Sequence, residues 1–241
     1  MGPIFRLSLH QLAKRRRLLL ILLLATLPVA LAAAISAFAG EGESYKADLI
    51  NNLLDAMLIA AIMPIVTIAL ATRAFGDELE DRTLSYLVLK PVRRSLIVLP
   101  KLLSSIVICG PLLIASGAVA TLFALDGSGQ AVVAVGVALF AGVVAYAAIF
   151  TWAGLISTHA LSFGLIYVFL WEGVLSTFLG GVRYLSVRGY TLAILHGMDE
   201  KSFEVLGQRV IEFPAGIVGA AAVTIVFFLL TVRRLRRMDV P

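Results

Sequence analysis

The sequence predicts an all-α integral membrane protein: six transmembrane helices, an N-terminal interfacial amphipathic helix, and short helices in the outer loop before the last span. Three observations lead there. Of the 241 residues 60% are hydrophobic and 15% charged, with a mean hydropathy of +0.99, whereas a soluble domain runs nearer to about 45–50% apolar and ~25% charged. The apolar residues gather into six long runs, and the strand-like alternation of a membrane barrel is absent. The basic residues collect in alternate loops. An ordinary water-soluble enzyme, a disordered tail and a disulfide-rich secreted module are all excluded, the last because Cys109 has no second cysteine to pair with.

Taken in order, Pro3–Arg17 fits a helix with Arg6, His10, Lys14 and Arg17 on one stripe and Phe5, Leu9 and Leu12 on another. A basic amphipathic helix beside a span lies in the interface, its cations among anionic headgroups. A generic stop to translocation is the plainer reading of the same charges. The first span is Leu18–Phe38, where each Leu, Ile, Val or Phe contributes about −0.3 to −0.6 kcal/mol to insertion, enough to outweigh Pro28 and two hydroxyls. This run exceeds the ~7–15 apolar residues of a cleavable signal, so an uncleaved span is expected. Arg6 stands where a myristoylation signal needs Ser or Thr. The second span, Leu49–Thr72, carries Asp55 and Pro64. The others are Leu102–Leu125, Ala131–Ser157, Leu161–Gly180 and Phe213–Val232, each long enough for the ~20 residues a bilayer core needs. The whole of 1–241 reads as a single transmembrane domain, with a loop over 73–101, an outer segment over 181–212 and a tail over 233–241.

Charge sets the orientation. Arg6, Lys14, Arg15, Arg16 and Arg17 precede the first span; Arg73, Arg82, Lys90, Arg93, Arg94 and Lys101 fall between the second and third; Arg233, Arg234, Arg236 and Arg237 follow the sixth. The opposite side has only Lys46, Arg183, Arg188, Lys201 and Arg209, although it owns the longest loop. By the positive-inside rule both termini are cytoplasmic, which makes a multi-pass protein of the plasma (inner) membrane. The +5 net charge is accounted for by topology, and no nucleic-acid partner is called for.

The outer segment Gly181–Glu212 is too long for a passive turn. Phe203, Leu206, Val210 and Phe213 recur at helical spacing in its second half. The first half, with Tyr184, Leu185, Val187, Tyr190, Leu192, Ile194 and Leu195, is apolar but too short and interrupted to span. Short helices lying on or dipping into the outer leaflet fit this pattern, and so does a folded cap with no part in transport. In the loop over 73–101, Asp77, Glu78, Glu80 and Asp81 precede Thr83–Leu89. They suit the first turn of a helix there, where the macrodipole favours negative charge, and Pro91 stops that helix. Leu84, Leu87 and Val88 form an apolar edge. An acidic start, an apolar edge and a basic exit suit docking to another protein; they suit a solvated connector equally.

Catalytic chemistry finds no support. A phosphate-cradling loop needs Gly-Lys-Ser/Thr, and the sequence has no Gly-Lys dipeptide. His10, His159 and His196 lie in three separate regions on both sides of the membrane, so no histidine cluster for zinc forms. Two carboxylates inside spans carry more information. Asp55 sits about two turns from the outer end of the second span, and Glu172 beyond the middle of the fifth. A central acid costs about 2.5–3.5 kcal/mol on insertion scales and ordinarily faces a bundle interior or a wet cavity. Glu172 reads as a pathway residue or as a structural partner of Arg183 or Arg188. Asp55, nearer the surface, reads more simply as structural.

Glu78, then Thr83-Leu84, Leu87, Pro91-Val92 with Arg94, and Lys101 further on resemble the ATP-binding-cassette (ABC) type-2 permease family. Two positions depart from that pattern: Arg82 stands where Gly is usual and Arg93 where Ser is usual. The motif covers about 30 residues; the plan of entry helix, six spans, cytoplasmic ends and long outer segment covers the whole chain. The resemblance implies a permease subunit of an ATP-driven exporter. It implies a second permease subunit, as homo- or heterodimer, and two copies of a separate ABC ATPase that bind ATP and Mg, this chain itself binding no cofactor. It further implies that Glu78, Arg82, Thr83, Leu84, Leu87 and Pro91 belong to the ATPase-docking and coupling surface. The alternative class is a self-sufficient channel, carrier or intramembrane enzyme, for which an inverted repeat or a ring of polar pore residues would speak; the sequence displays neither.

Overall fold

The computed structural model describes residues 2–12, 15–38, 49–81, 93–125, 128–175, 180–207 and 211–238. Among these every regular element is helical. α1 (Gly2–Leu12) leads to α2 (Arg15–Phe38). A π-wound segment, Leu49–Ile62, runs into α3 (Met63–Ala71) and then, across Thr72, into α4 (Arg73–Glu80). Pro64 falls in the first turn of α3, where its missing N–H is tolerated, and the change of winding comes just before it. α5 is Ser95–Ala124 and α6 is Gly129–Ile156, the latter opened by Ser128, whose side chain accepts from the Ala131 amide. α7 (Ala160–Tyr167) continues as a second π-wound segment, Val168–Leu175. A 3₁₀ turn (Gly180–Leu185), α8 (Val187–Met198), a shorter 3₁₀ turn (Glu204–Leu206) and α9 (Phe213–Arg236) complete the chain.

α6 is the packing axis: α3, α4, α5, α7, α8 and α9 all lie against it. Its buried face is rich in small residues, Ala134, Ala138, Ala145, Ala147 and Ala148 among them, and small side chains let neighbouring backbones approach closely where solvent does not drive packing. Gly154 shows how close. A Cβ there would meet the Thr72 carbonyl oxygen at 2.1 Å, so only glycine allows α3 and α4 to cross α6 at that point. Two buried hydroxyls of α3 and its end are satisfied locally: Thr67 donates to the Met63 carbonyl at 2.7 Å and Thr72 to that of Ile68 at 2.6 Å, a back-bond that spares each hydroxyl an outside partner.

Five helices are long and apolar enough to cross a membrane among the described residues: Leu18–Ala37, Ile50–Glu80, Ser95–Phe123, Gly129–Ile156 and Phe213–Arg236. The run expected as Leu161–Gly180 is a shorter apolar helix, Ala160–Val174, its second half π-wound, and residues 176–179 lie outside the described part. The second and third membrane helices also extend further than hydropathy suggests. Phe75 of α4 is fully buried with Ile97, Val98, Leu155 and Leu235, and this small core carries the helix on beyond Thr72.

Two local expectations are corrected. Asp77, Glu78 and Glu80 do not open a helix over Thr83–Leu89; they lie in the second half of α4, where Arg73 Nη1 reaches Asp77 at 2.9 Å and Glu80 at 3.6 Å. Residues 83–89 lie outside the described part. In the segment before α9 the longer helix is α8, in the apolar first half, while among the described residues around Phe203 and Leu206 there is only a 3₁₀ turn, Val210 lying outside them. Burial rather than periodicity decides it: seven of the α8 residues, Val187, Tyr190, Thr191, Leu192, Ala193, Ile194 and Leu195, are buried, packed on α6 and α9. At the N-terminal end, α1 turns Leu12 inward against the main core, with Arg6 and His10 exposed.

Candidate functional site

The rod from Leu49 to Glu80 carries a buried carboxylate near each end, and each is met by a cation from elsewhere in the chain. At the first end is Asp55. Arg188 grips it with two prongs, Nε to Oδ1 at 2.8 Å and Nη2 to Oδ2 at 2.9 Å, with side-chain exposures of 18% and 7%. This is the fork-on-fork geometry in which guanidinium and carboxylate bind most strongly. Burial works against the charge on Arg188, but hydrogen bonds and charge from Asp55 outweigh it and its pKa is raised.

Glu172 stands behind the same arginine and has no exposed surface. Its carboxylate accepts the Val187 amide at 3.0 Å and the Arg188 amide at 3.3 Å, the Tyr167 hydroxyl at 3.3 Å, and the Ser186 hydroxyl. Ser186 Oγ accepts in turn from the Gly189 amide at 3.0 Å. The first N–H groups of a helix have no partner inside it and carry the positive end of its dipole. Glu172 and Ser186 together satisfy those of α8. Trp171 Nε1 donates to the Leu185 carbonyl at 3.3 Å, fixing the preceding turn to the same segment. Asp55 and Glu172 both ride on π-wound helix, a winding that is uncommon and is found disproportionately at functional sites.

At the other end of the rod Glu78 Oε1 meets Lys101 Nζ at 2.7 Å, with side-chain exposures of 9% and 2%. Lys101 also donates to the Ala74 carbonyl and lies 4.7 Å from the centre of the Phe75 ring. α4 is thereby locked to α5. Glu78 Oε2 is buried and, among the described residues, has no hydrogen-bond partner. Stranding one member of such a pair costs about 3–5 kcal/mol, so both locks are strong local constraints.

Of the sequence-selected residues, the structure thus describes Asp55, Glu78 and Glu172, while Arg82, Thr83, Leu84, Leu87 and Pro91 lie outside the described residues. Of the two arginines expected beside Glu172, Arg183 and Arg188, the second divides its two ends: the Arg188 amide goes to Glu172 and its guanidinium to Asp55. Sequence reasoning missed the Asp55–Arg188 pairing and the Ser186 cap, although a serine just before an apolar helical run is itself an N-cap signal. The chemistry on offer is constraint. Among the described residues no three His, Cys, Asp or Glu side chains gather as metal ligands.

Among curated proteins, none matches the chain. The family model described as ABC-2 family transporter protein matches residues 12–179, a stretch that holds Asp55, Glu78, Lys101 and Glu172 and ends before α8.

Proposed function

The chain belongs to the ABC-2 family of transporter proteins, and from that premise we propose that it is the permease subunit of an ATP-driven exporter, energised by a separate ATPase. It is a multi-pass membrane component of an ABC transporter, and family membership implies association with an ABC ATPase. In our reading the chain crosses the plasma membrane six times, the short helix Ala160–Leu175 with the residues after it making the fifth crossing, and both termini are cytoplasmic. α1 is an interfacial helix, its exposed Arg6 and His10 toward headgroups. Two such chains line the pathway, above two ATPase subunits that hold ATP and Mg.

The family match is the observation that carries this reading. The geometry supports a division of labour on top of it. Glu78, Arg82, Thr83, Leu84, Leu87 and Pro91 form the ATPase-docking and coupling surface. The Glu78–Lys101 lock joins α4 to α5, so a push on the loop between them moves two membrane helices together. At the far end of the same rod, Asp55 and Glu172 hold α8 and stand at the outer end of the pathway. Co-purification of the ATPase, with its turnover measured on variants of Leu84 and Leu87, tests the reading. Release of the ATPase supports it, and unchanged retention contradicts it.

A further inference from the structure

Between α6, α7 with its π-wound continuation, α9 and the turn before α8 lies a cavity of about 460 Å³, within the range of about 300–1,000 Å³ usual for ligand pockets. Aromatic rings make much of its wall, among them Phe150, Trp152, Tyr167, Trp171, Tyr190 and Phe227. Four of these have polar ends, Trp152 among them, and three of the four are already engaged. Trp171 donates to the Leu185 carbonyl, Tyr167 to Glu172 and Tyr190 to the Tyr184 carbonyl. The cavity therefore presents ring faces and methyl groups with little left to bond a polar ligand, and a polar group placed there without a partner loses its hydration uncompensated.

The mouth says where the occupant comes from. Phe163 and Leu185 line the cavity and yet remain 64% exposed each, so they form its rim. The rim is apolar, and the walls behind it, α6 and α9, are both long and apolar enough to cross a membrane. Such an opening faces hydrocarbon rather than water. We propose that this cavity binds one hydrocarbon chain of a membrane lipid. Glu172 sets its outer wall, because Val187, whose amide the carboxylate holds, lines the cavity. The site stands apart from the permease reading: it needs no ATPase and is tested without one.

The chain has two tryptophans, Trp152 and Trp171, and both line this cavity, so their fluorescence reports on it directly. The full chain is reconstituted in phosphatidylcholine vesicles doped with the same lipid brominated in mid-chain, a contact quencher. The wild type is expected to show saturable quenching at low brominated fraction. Ala153→Phe and Val223→Phe, which fill the cavity from two different helices, are each expected to remove most of the saturable part. Ala221→Phe fills a second apolar cavity of about 470 Å³ on another side of α9 and is expected to leave it intact. An unchanged thermal midpoint identifies variants that still fold; two filling variants keep the test open if one does not. Quenching that simply tracks the brominated fraction, equal in wild type and filled variants, overturns the proposal. So does a wild type whose tryptophans stay unquenched at every fraction, as they would if a second copy of the chain filled the cavity.

Discussion

Arg188 and Asp55, 133 positions apart in sequence, meet in a two-pronged buried ion pair, Nε to Oδ1 at 2.8 Å and Nη2 to Oδ2 at 2.9 Å. The pair pins the start of α8 to the first π-wound segment, while Glu172 pins the same turn to the second. Three segments are held at one residue: its side chain goes one way and its amide the other.

Removing one partner leaves a charge with no counter-ion in a poorly hydrated place. Asp55→Leu and Arg188→Met are each expected to destabilise the protein by about 3–5 kcal/mol, while the two combined recover much of the loss, because no charge then remains stranded. A double-mutant cycle on thermal unfolding in detergent measures the coupling. Additive losses would mean that the pair contributes nothing as a pair.

The cap on α8 yields a graded series. Ser186→Ala removes one acceptor and is expected to cost about 0.5–2 kcal/mol. Glu172→Gln turns one acceptor oxygen into a donor facing donors, and Glu172→Ala removes both acceptors. Limited proteolysis between Arg183 and Arg209 is expected to quicken from wild type to Ser186→Ala and further in Glu172→Ala. Equal rates across the series would show that the cap does not hold the segment.

How much of this was legible in the sequence follows from the physics of each feature. Five of the six expected membrane helices were, because insertion depends on summed side-chain hydropathy, which is local. Asp55 and Glu172 were singled out for a local reason too: a carboxylate in an apolar run is costly wherever it points. The partners were not. Nothing local brings Arg188 to Asp55, since that pairing depends on α8 folding back on α6, and the burial of α8 is a tertiary event. The periodicity of Phe203 and Leu206 imitated a helix that the structure replaces with a 3₁₀ turn. The acidic cluster misled for a related reason. Asp77 and Glu80 are held by Arg73, and Glu78 by Lys101, so acids sit at a helix C-terminal end that the macrodipole alone would disfavour.

The Glu78–Lys101 lock is open to the same reasoning at the other end of the rod. Lys101→Met strands a buried carboxylate and is expected to lower the thermal midpoint and loosen ATPase retention together. Glu78→Leu with Lys101→Met is expected to restore the midpoint, since burial of α4 through Phe75 survives. If Lys101→Met unfolds like wild type, the pair is not a lock.

Orientation is tested by labelling. Cysteine placed at Arg237, an exposed position just past α9, is expected to react with an impermeant maleimide only after the cells are opened. The native Cys109 is buried and keeps the background low. Labelling of intact cells at that position would reverse the topology.

The permease reading stands most directly on ATPase docking at the loop after α4. The full chain, purified from its native membranes in mild detergent, is expected to bring with it an ABC ATPase and its ATP turnover. Leu84→Asp combined with Leu87→Asp should abolish both, with the chain still monodisperse and its thermal midpoint unchanged. Full ATPase retention and turnover in that double variant would contradict the docking role assigned to this loop.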